Sequence, residues 1–276
     1  MSESWLNLAN KVCVITGAAG GMGKKICLEL AEQHAKLVLV DLDEDKLTKL
    51  ASSIKAKFDV EIMRAVCDTT DEDQVSELVE KVAAKFNKCD VLVNTAGILK
   101  FAPLEKLSYK TWKKVLNVNL DGYFLMAQHF GKLMMKHEGG SMVHISTVAS
   151  EAPETYSGAY STSKAGVNML SKQLAAEWGQ FGIRSNVIMP CLVKTPMSMG
   201  FYSDPDVENG RKELTASKRI GTVSDIADSV LFLASNRSDY VNGAELPVDG
   251  GFHMMMGDQI PKPGGRKQYA LDHLSD

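Results

Sequence analysis

The feature that most restricts the fold is a regular alternation of short apolar runs with amphipathic stretches. Seven such runs are spread along the chain, and a stretch with helical periodicity follows most of them. Strands that alternate with helices pair in parallel through right-handed crossovers. The runs are nearly continuous in apolar residues, which is typical of a sheet covered by helices on both faces. The sequence therefore predicts an α/β fold with a doubly wound, seven-stranded parallel sheet.

The boundaries of the predicted elements follow from the same pattern. The predicted strands are 12–16, 37–41, 60–67, 91–94, 141–146, 185–189 and 245–248, and the predicted helices are 22–33, 45–58, 71–86, 109–137, 160–181 and 225–234. No Pro/Gly/Ser-rich linker divides the chain, so we expect a single domain over residues 1–253. Residues of about 195–220 are expected to form a substrate lid, and 254–276 a polar, Gly/Pro-rich tail.

Composition excludes several classes of partner. The 276 residues carry a formal net charge of −3 and no long basic run, so nucleic acid is not an expected partner. The five cysteines are scattered and lack CxxC spacing, which predicts reduced cysteines and no metal site. No apolar stretch approaches the ~18 residues that span a bilayer, and the start lacks a secretory signal. We therefore expect a cytoplasmic protein with no membrane partner.

A glycine-rich turn joins the first strand to the first helix. It reads Thr-Gly-Ala-Ala-Gly-Gly-Met-Gly over residues 16–23, which is the pattern TGxxxGxG. Such a turn is tight, lets the backbone approach a pyrophosphate, and offers the free N–H groups of a helix start to it. A plain turn is the weaker alternative. The expected cofactor contacts here are Gly17, Ala19, Gly20, Gly21, Met22 and Gly23.

Acidic residues end the second and third predicted strands. Asp41, followed by Leu42, can accept hydrogen bonds from the adenosine ribose hydroxyls and would repel a 2′-phosphate, which favours NAD over NADP. Its alternative role is to help start the next helix. Asp68, followed by Thr69, either caps the following helix or meets the adenine amino group, and the sequence does not decide between them.

A tyrosine and a lysine lie four residues apart at the start of the helix after the fifth strand. Tyr160 and Lys164 form the pattern YxxxK and share one helix face. A nearby ammonium favours the phenolate and is expected to lower the pKa of the tyrosine. A tyrosine made more acidic can exchange a proton with a carbonyl or alcohol oxygen near neutral pH.

Together these motifs resemble the short-chain dehydrogenase/reductase (SDR) family, in its single-domain branch with TGxxxGxG and YxxxK. The resemblance also includes Asn-Thr-Ala-Gly at 94–97, Asn119 within Asn-Val-Asn-Leu-Asp-Gly, and Val-Asp-Gly-Gly at 248–251, and it covers about residues 6–252. It implies a Rossmann-like fold with Tyr160 as general acid/base and Lys164 on the nicotinamide ribose. It further implies a relay water held by Asn119, and contacts from Asn94, Ala96 and Gly97 near the adenosine-side ribose.

Two positions depart from the family pattern. The serine that usually contacts the substrate oxygen, thirteen residues before the tyrosine, is Thr147 here, and Ser146 is the alternative if the spacing differs by one. The usual Pro-Gly after the sixth strand is Pro190-Cys191, where a packing cysteine is favoured over a reactive thiol. The resemblance implies that this loop bonds the nicotinamide carboxamide through Val193 and Thr195.

The predicted activity is hydride transfer between NAD(H) and a carbonyl or secondary alcohol substrate. Two alternatives remain open at this point: a catalytically silent NAD-binding sensor or scaffold, and an epimerase or dehydratase. The intact Asn119, Tyr160 and Lys164 favour the oxidoreductase. The substrate itself cannot be deduced, because a fold likeness does not determine it. The resemblance implies a homotetramer, or a homodimer, with the helices at 109–137 and 160–181 at an interface.

Overall fold

The computed structural model describes residues 5–261 and 263–264. Within them the strands are β1 (Val12–Thr16), β2 (Lys36–Asp41), β3 (Ile62–Val66), β4 (Val91–Asn94), β5 (Gly140–Ile145), β6 (Ile183–Pro190) and β7 (Glu245–Val248). The α-helices are α1 (Gly21–Glu32), α2 (Glu44–Lys55), α3 (Glu72–Phe86), α4 (Tyr109–Leu116), α5 (Gly122–Met134), α6 (Tyr160–Trp178), α7 (Pro205–Glu213) and α8 (Val223–Ala234). No helix in these residues is long and apolar enough to cross a membrane.

The strands form one parallel sheet in the order β3-β2-β1-β4-β5-β6-β7. The strand order reverses direction between β1 and β4, so a crevice opens beyond their carboxyl ends. Thr16 is the last residue of β1 and pairs with Val40 of β2 on one side and Asn94 of β4 on the other. The predicted seven-stranded, doubly wound sheet is confirmed.

The core lies in two layers because successive strand residues point to opposite faces. In β1, Cys13 and Ile15 join the cluster that includes α1, α2 and α8, whereas Val12 and Val14 join the cluster that includes α3, α5 and α6. All four side chains are buried. Both faces of the strand are therefore apolar, which explains why the runs do not alternate with polar residues.

Several elements depart from their predicted boundaries: α2 ends at Lys55 instead of 58, and β6 is longer, Ile183–Pro190 instead of 185–189. The third strand is shorter than predicted, Ile62–Val66 instead of 60–67. The predicted helix 109–137 is helical from 109 to 134 but contains a π turn at Asn117–Asp121, where Gly122 N–H donates to Asn117 O. The segment 195–220, which the sequence predicts to be a substrate lid, contains an unpredicted helix, α7, which is capped by Asp204 and buries no residue.

The predicted tail begins with a 3₁₀ helix, Phe252–Gln259. Its residues 262 and 265–276 lie outside the described residues.

Candidate active site

A cleft of about 750 Å³ opens at the carboxyl ends of the central strands. Thirteen of the seventeen residues expected to contact the cofactor line it: Gly17, Ala19, Gly20, Gly21, Met22, Gly23, Asp41, Leu42, Asp68, Thr69, Ala96, Gly97 and Thr195. The four that do not are Asn94, Tyr160, Lys164 and Val193. The cleft is therefore where the sequence motifs and the topology both place a dinucleotide.

The glycine turn brings backbone close to backbone at the start of α1. Gly17 has φ +61°, and a Cβ there would lie 2.9 Å from Ala96 Cα. A Cβ at Gly23 would overlap the carbonyl oxygen of Gly17. No side chain of the described residues caps the first N–H groups of α1, so they remain available to an anion. This cradle fits a pyrophosphate, and a side chain at either glycine would clash with neighbouring backbone and force the turn to shift.

The carboxylate of Asp41 is held beside the glycine turn by backbone N–H groups. Its Oδ2 accepts from Ala19 N at 3.0 Å, and its Oδ1 accepts from Leu42 N at 2.8 Å. Helix α2 is instead capped by Asp43, whose side chain accepts from Lys46 N. Asp41 Oδ1 also accepts from Asp43 N at 3.3 Å, so Asp41 faces the cleft and at the same time supports the residue that caps the next helix.

Asp68 lies at the same edge of the cleft, next to Thr69. Its Oδ1 accepts from both the N–H and the hydroxyl of Thr70, at 2.9 and 2.8 Å. Helix α3 is capped by Asp71. The alternative in which Asp68 caps that helix is therefore wrong, and its carboxylate stays at the cleft edge.

Tyr160 is the first residue of α6, and Lys164 follows one turn later. The Lys164 side chain is buried, and its Nζ donates to Tyr123 OH at 3.0 Å and to Ile145 O at 2.8 Å. A Cβ on Gly97 would lie 3.7 Å from this Nζ. Because Gly97 lines the cleft, the ammonium lies directly at its wall.

Burial is the largest influence on the pKa values of Tyr160 and Lys164. It raises the pKa of Tyr160 to about 12, a rise to which Glu154 adds and which a hydrogen bond with Thr147 opposes. Burial lowers the pKa of Lys164 to about 7. The expected lowering of the tyrosine pKa by the lysine is not found, and the ammonium is bonded to Tyr123 and Ile145.

The structure separates the two candidate hydroxyls at the end of β5. Ser146 is buried, and its Oγ donates to the main-chain oxygen of Lys164. Thr147 is partly exposed and lies near enough to the Tyr160 side chain to lower its pKa. Thr147 is the hydroxyl next to the phenol, in agreement with the thirteen-residue spacing.

Two asparagines support the loop after β4. Asn119 is fully buried in the π turn, where its Oδ1 accepts from Ile98 N at 2.8 Å and its Nδ2 donates to Ile98 O and Ser163 Oγ. Asn94 is buried within the sheet, and its Nδ2 contacts His144 Nδ1 at 3.2 Å. Asn94 therefore supports the sheet and, contrary to the expected cofactor contact, does not line the cleft.

The loop after β6 passes over the glycine turn. Thr195 lines the cleft, and a Cβ on Gly21 would lie 3.2 Å from it. Val193 is buried, and its carbonyl accepts a hydrogen bond from Ser198 Oγ at 2.7 Å. Cys191 packs against an apolar cluster, and burial raises the pKa of its thiol to about 12. A packing role for this cysteine agrees with both observations.

Sequence reasoning missed several residues at the site. Tyr123 lies in an apolar helical stretch, where nothing in the sequence marks it as a polar contact. No local motif connects it with Lys164, which is 41 positions away. The cleft is also lined by residues that motif spacing alone does not single out: Val40, Lys46, Cys67, Thr70, Thr95, Ile98, Lys114, Asn117, Val118, Pro196 and Met197. Most of them are next to a predicted residue in the sequence. They would have been included if every residue of the loops that follow the strands had been expected to line the cleft.

Comparison with known proteins agrees with the fold and the cleft. The family model described as "Enoyl-(Acyl carrier protein) reductase" matches residues 17–253. D-threitol dehydrogenase of Mycolicibacterium smegmatis is 37% identical over 245 residues, which cover 89% of this chain and 94% of that protein.

Two solved structures resemble this one over nearly their whole length. Gluconate 5-dehydrogenase from Burkholderia cenocepacia, in complex with NADP and tartrate, has a TM-score of 0.85 and 32% identity, covering 90% of this chain and 96% of that one. NAD⁺-bound xylitol dehydrogenase has a TM-score of 0.84 and 29% identity, covering 88% and 99%.

The fold and the glycine cradle thus define a nicotinamide-dependent oxidoreductase class. The chain belongs to the short-chain dehydrogenase/reductase family.

Proposed function

We propose that this protein transfers a hydride between NAD(H) and a carbonyl or secondary alcohol substrate, with Tyr160 as the general acid/base. The observation that carries this proposal is the short reach from the Lys164 ammonium to Gly97, which lines the cleft that holds the glycine cradle. The interaction of Thr147 with Tyr160, one helical turn before that lysine, supports it. The intact set argues against a silent sensor or scaffold. No feature of the described residues calls for epimerisation or dehydration.

Each polar group has a distinct task in this proposal. The bound nicotinamide supplies the hydride acceptor or donor. During alcohol oxidation Tyr160 takes the hydroxyl proton, and during reduction it returns one to the carbonyl oxygen. Thr147 donates a hydrogen bond to the same oxygen. Lys164 binds the ribose and, as a cation, favours the phenolate.

Asn119 is proposed to act through its fixed position in the π turn. Its two N–H bonds are used by Ile98 and Ser163, and Oδ1 accepts from Ile98. An amide oxygen has two lone pairs, so one acceptor position remains for the relay water. We propose that this water continues the proton path from Lys164 to solvent.

The proposed cofactor is NAD. The Asp41 carboxylate lies at the cleft, where it would accept from the ribose hydroxyls and repel a 2′-phosphate. Lys46, which also lines the cleft, is paired with Asp43 at 2.8 Å, so its charge is partly neutralised. Val193 and Thr195 are proposed to meet the carboxamide, and Asp68 the adenine edge.

The substrate is proposed to enter under the lid of about residues 195–220. Its aromatic side chains include Phe201, which packs edge-on against Phe101 with ring centroids 6.0 Å apart. The names of the relatives favour polyols and sugar acids as the first compounds to test, alongside apolar secondary alcohols.

The decisive experiment compares the wild type with Tyr160→Phe on such a panel, following NADH absorbance in both directions. We expect turnover of some substrates by the wild type, loss of at least about a hundredfold in the variant, and unchanged NADH affinity. Equal turnover by the two proteins would contradict the role of Tyr160.

Cofactor choice needs a separate measurement, a fluorescence titration with NADH and NADPH. We expect tighter NADH binding, and in Asp41→Asn a gain in NADPH affinity of about tenfold or more, because a like-charge contact costs several kcal/mol. Lys24→Gln is the matched control, since Lys24 is exposed next to the turn. Preference of the wild type for NADPH would overturn the assignment.

We also propose a homotetramer, or a homodimer, assembled through the outer faces of α4–α5 and α6. Phe124 and Met169 are exposed apolar residues on these helices, with 43% and 62% of their surfaces accessible. Light scattering at micromolar concentration tests the assembly, and a monomer would contradict it.

A further inference from the structure

We infer that Tyr123 is a positioning residue of the active site, whose hydroxyl holds the Lys164 ammonium against the cleft wall. The inference rests on the proposed function of Lys164. Tyr123 lies on α5 directly after the π turn and is 2% exposed. Nothing in the motif pattern assigns it a role.

Three short contacts connect this tyrosine with the lysine. Tyr123 OH accepts from Lys164 Nζ at 3.0 Å and donates to Ile145 O at 3.1 Å. Lys164 Nζ also donates to Ile145 O, at 2.8 Å. The ammonium lies 4.5 Å from the centre of the Tyr123 ring, so the ring face adds a favourable contact.

The number of N–H donors on the Lys164 ammonium determines how many remain for a ligand. An ammonium has three N–H bonds, and Tyr123 and Ile145 accept two of them. Gly97, which lines the cleft, lies beside the same Nζ and has no side chain to take the third. The described residues offer no third hydrogen-bond acceptor, so one N–H is left for a ligand in the cleft, and the two protein acceptors restrict its direction.

The hydroxyl of Tyr123 is suited to hold the lysine and unsuited to carry protons. Its own hydrogen ends at the carbonyl of Ile145, which accepts a hydrogen bond but has no proton to pass on. Burial raises the pKa of this phenol well above its usual range, so it stays neutral. Tyr123 is thus a fixed acceptor beside the proton path.

Two other titratable groups face the pair from neighbouring elements. His144 on β5 has its ring centre 5.9 Å from that of Tyr123, and burial lowers its pKa to about 3, so it is neutral. Tyr160 on α6 interacts electrostatically with Tyr123. With the histidine neutral, Lys164 is the cationic group next to Tyr123, and the proposed function assigns to it the stabilisation of the Tyr160 phenolate.

Two substitutions separate the contributions of hydroxyl and ring. Tyr123→Phe keeps the ring and removes the acceptor, whereas Tyr123→Leu removes both. Because the hydroxyl stabilises the charged form of Lys164, its loss should lower the lysine pKa by about one unit. Tyr123→Leu should lower it further. Phe130→Leu, a buried apolar change on the same helix, is the control for destabilisation alone.

The first readout needs neither cofactor nor turnover. In the cofactor-free protein with ¹³C-labelled lysine, Lys164 is titrated by NMR and its resonance is assigned by its disappearance in Lys164→Met. We expect the lower pKa in both Tyr123 variants and no change in Phe130→Leu. An unchanged Lys164 titration in Tyr123→Phe would overturn the inference, whatever the enzyme does.

The second readout is the pH profile of kcat/KM for alcohol oxidation. With less positive charge near Tyr160 the phenolate is disfavoured, so the acid limb should move to higher pH. At neutral pH kcat/KM should fall about tenfold, while Phe130→Leu keeps the wild-type profile despite a lower Tm. An unshifted limb in Tyr123→Phe would also refute the inference. If the wild type lacked activity, the proposed function would fail, and the NMR titration would still test Tyr123.

Discussion

Ser146 Oγ donates a hydrogen bond to the main-chain oxygen of Lys164 at 3.2 Å. This bond connects the residue after β5 with the second turn of α6, so the serine hydroxyl has a structural role. The next residue points the other way, as successive residues of an extended chain do, and Thr147 reaches the Tyr160 hydroxyl. Two adjacent hydroxyls therefore have separate tasks, one structural and one directed at the proposed reacting oxygen.

Replacement of these hydroxyls should have different effects. Thr147→Val should lower kcat by about a hundredfold, the usual effect of removing one donor to a reacting oxygen, while Thr147→Ser should keep most activity. Ser146→Ala should cost about 1 kcal/mol of stability with little change in kcat. Steady-state kinetics and thermal unfolding measure the two effects. A larger loss of kcat in Ser146→Ala than in Thr147→Val would reverse the assignment.

Gly17→Ala should damage both folding and cofactor binding. The position combines φ +61° with a Cβ only 2.9 Å from the backbone of Ala96, so we expect about 1–3 kcal/mol of destabilisation. NADH affinity should fall because the turn must shift. Gly210→Ala in α7 is the matched control, since nothing lies within 4 Å of its added Cβ. Urea unfolding measures the loss of stability, and NADH titration measures the loss of affinity. Equal behaviour of Gly17→Ala and Gly210→Ala would contradict the prediction.

His144 should make stability depend on pH in acid. Its Nδ1 faces the Asn94 amide and its Nε2 the Ser185 hydroxyl, so the neutral ring is held with its proton on Nε2. Burial lowers its folded pKa to about 3, whereas an unfolded histidine titrates near 6.5. Below about pH 6.5 the unfolded chain binds the extra proton, so this group's contribution is lost as pH falls towards 3.

The measurement is the free energy of unfolding against pH. His144 should contribute a slope of up to about 1.4 kcal/mol per pH unit between these values. His144→Gln should remove that contribution and leave the curve above pH 7 parallel to that of the wild type. A wild-type slope retained in His144→Gln would assign the acid sensitivity to carboxylates instead.

Arg211 should restrain the lid through its aromatic contacts. Its guanidinium lies 4.5 Å from the ring centre of Phe201 and 5.3 Å from that of Tyr202. Such contacts contribute about 0.5–1 kcal/mol at accessible sites. Arg211→Ala should therefore increase the rate of chymotrypsin cleavage after Phe201 about two- to fivefold. Lys218→Ala, a change at the far end of the lid, serves as the control, and equal cleavage rates in all three proteins would rule out the restraint.

The parts of the fold that depend on local pattern could be predicted from the sequence. The sheet follows from the apolar runs, because residues such as Val12 and Cys13 are buried on opposite faces. The cradle follows from the glycines, since Gly17 requires a backbone conformation that other residues rarely adopt. That Tyr160 and Lys164 share one helix face follows from their spacing, whereas their roles were implied by the resemblance to the family.

The remaining features depend on contacts between distant segments. Tyr123 acquires its importance from Lys164 and Ile145, which lie in other elements. The choice between Ser146 and Thr147 depends on where α6 packs. Helix α7 buries no residue, so it leaves no apolar periodicity to detect.

The π turn at Asn117–Asp121 has a consequence for anyone who redesigns this helix. One extra residue in a turn rotates everything downstream by roughly 100° relative to a regular helix. Helices α4 and α5 are therefore out of phase, and a single helical wheel drawn through both would put buried residues of α5 on the wrong side. Deletion of one residue from the turn would realign the wheel and swing either Asn119 or Tyr123 away from its partners.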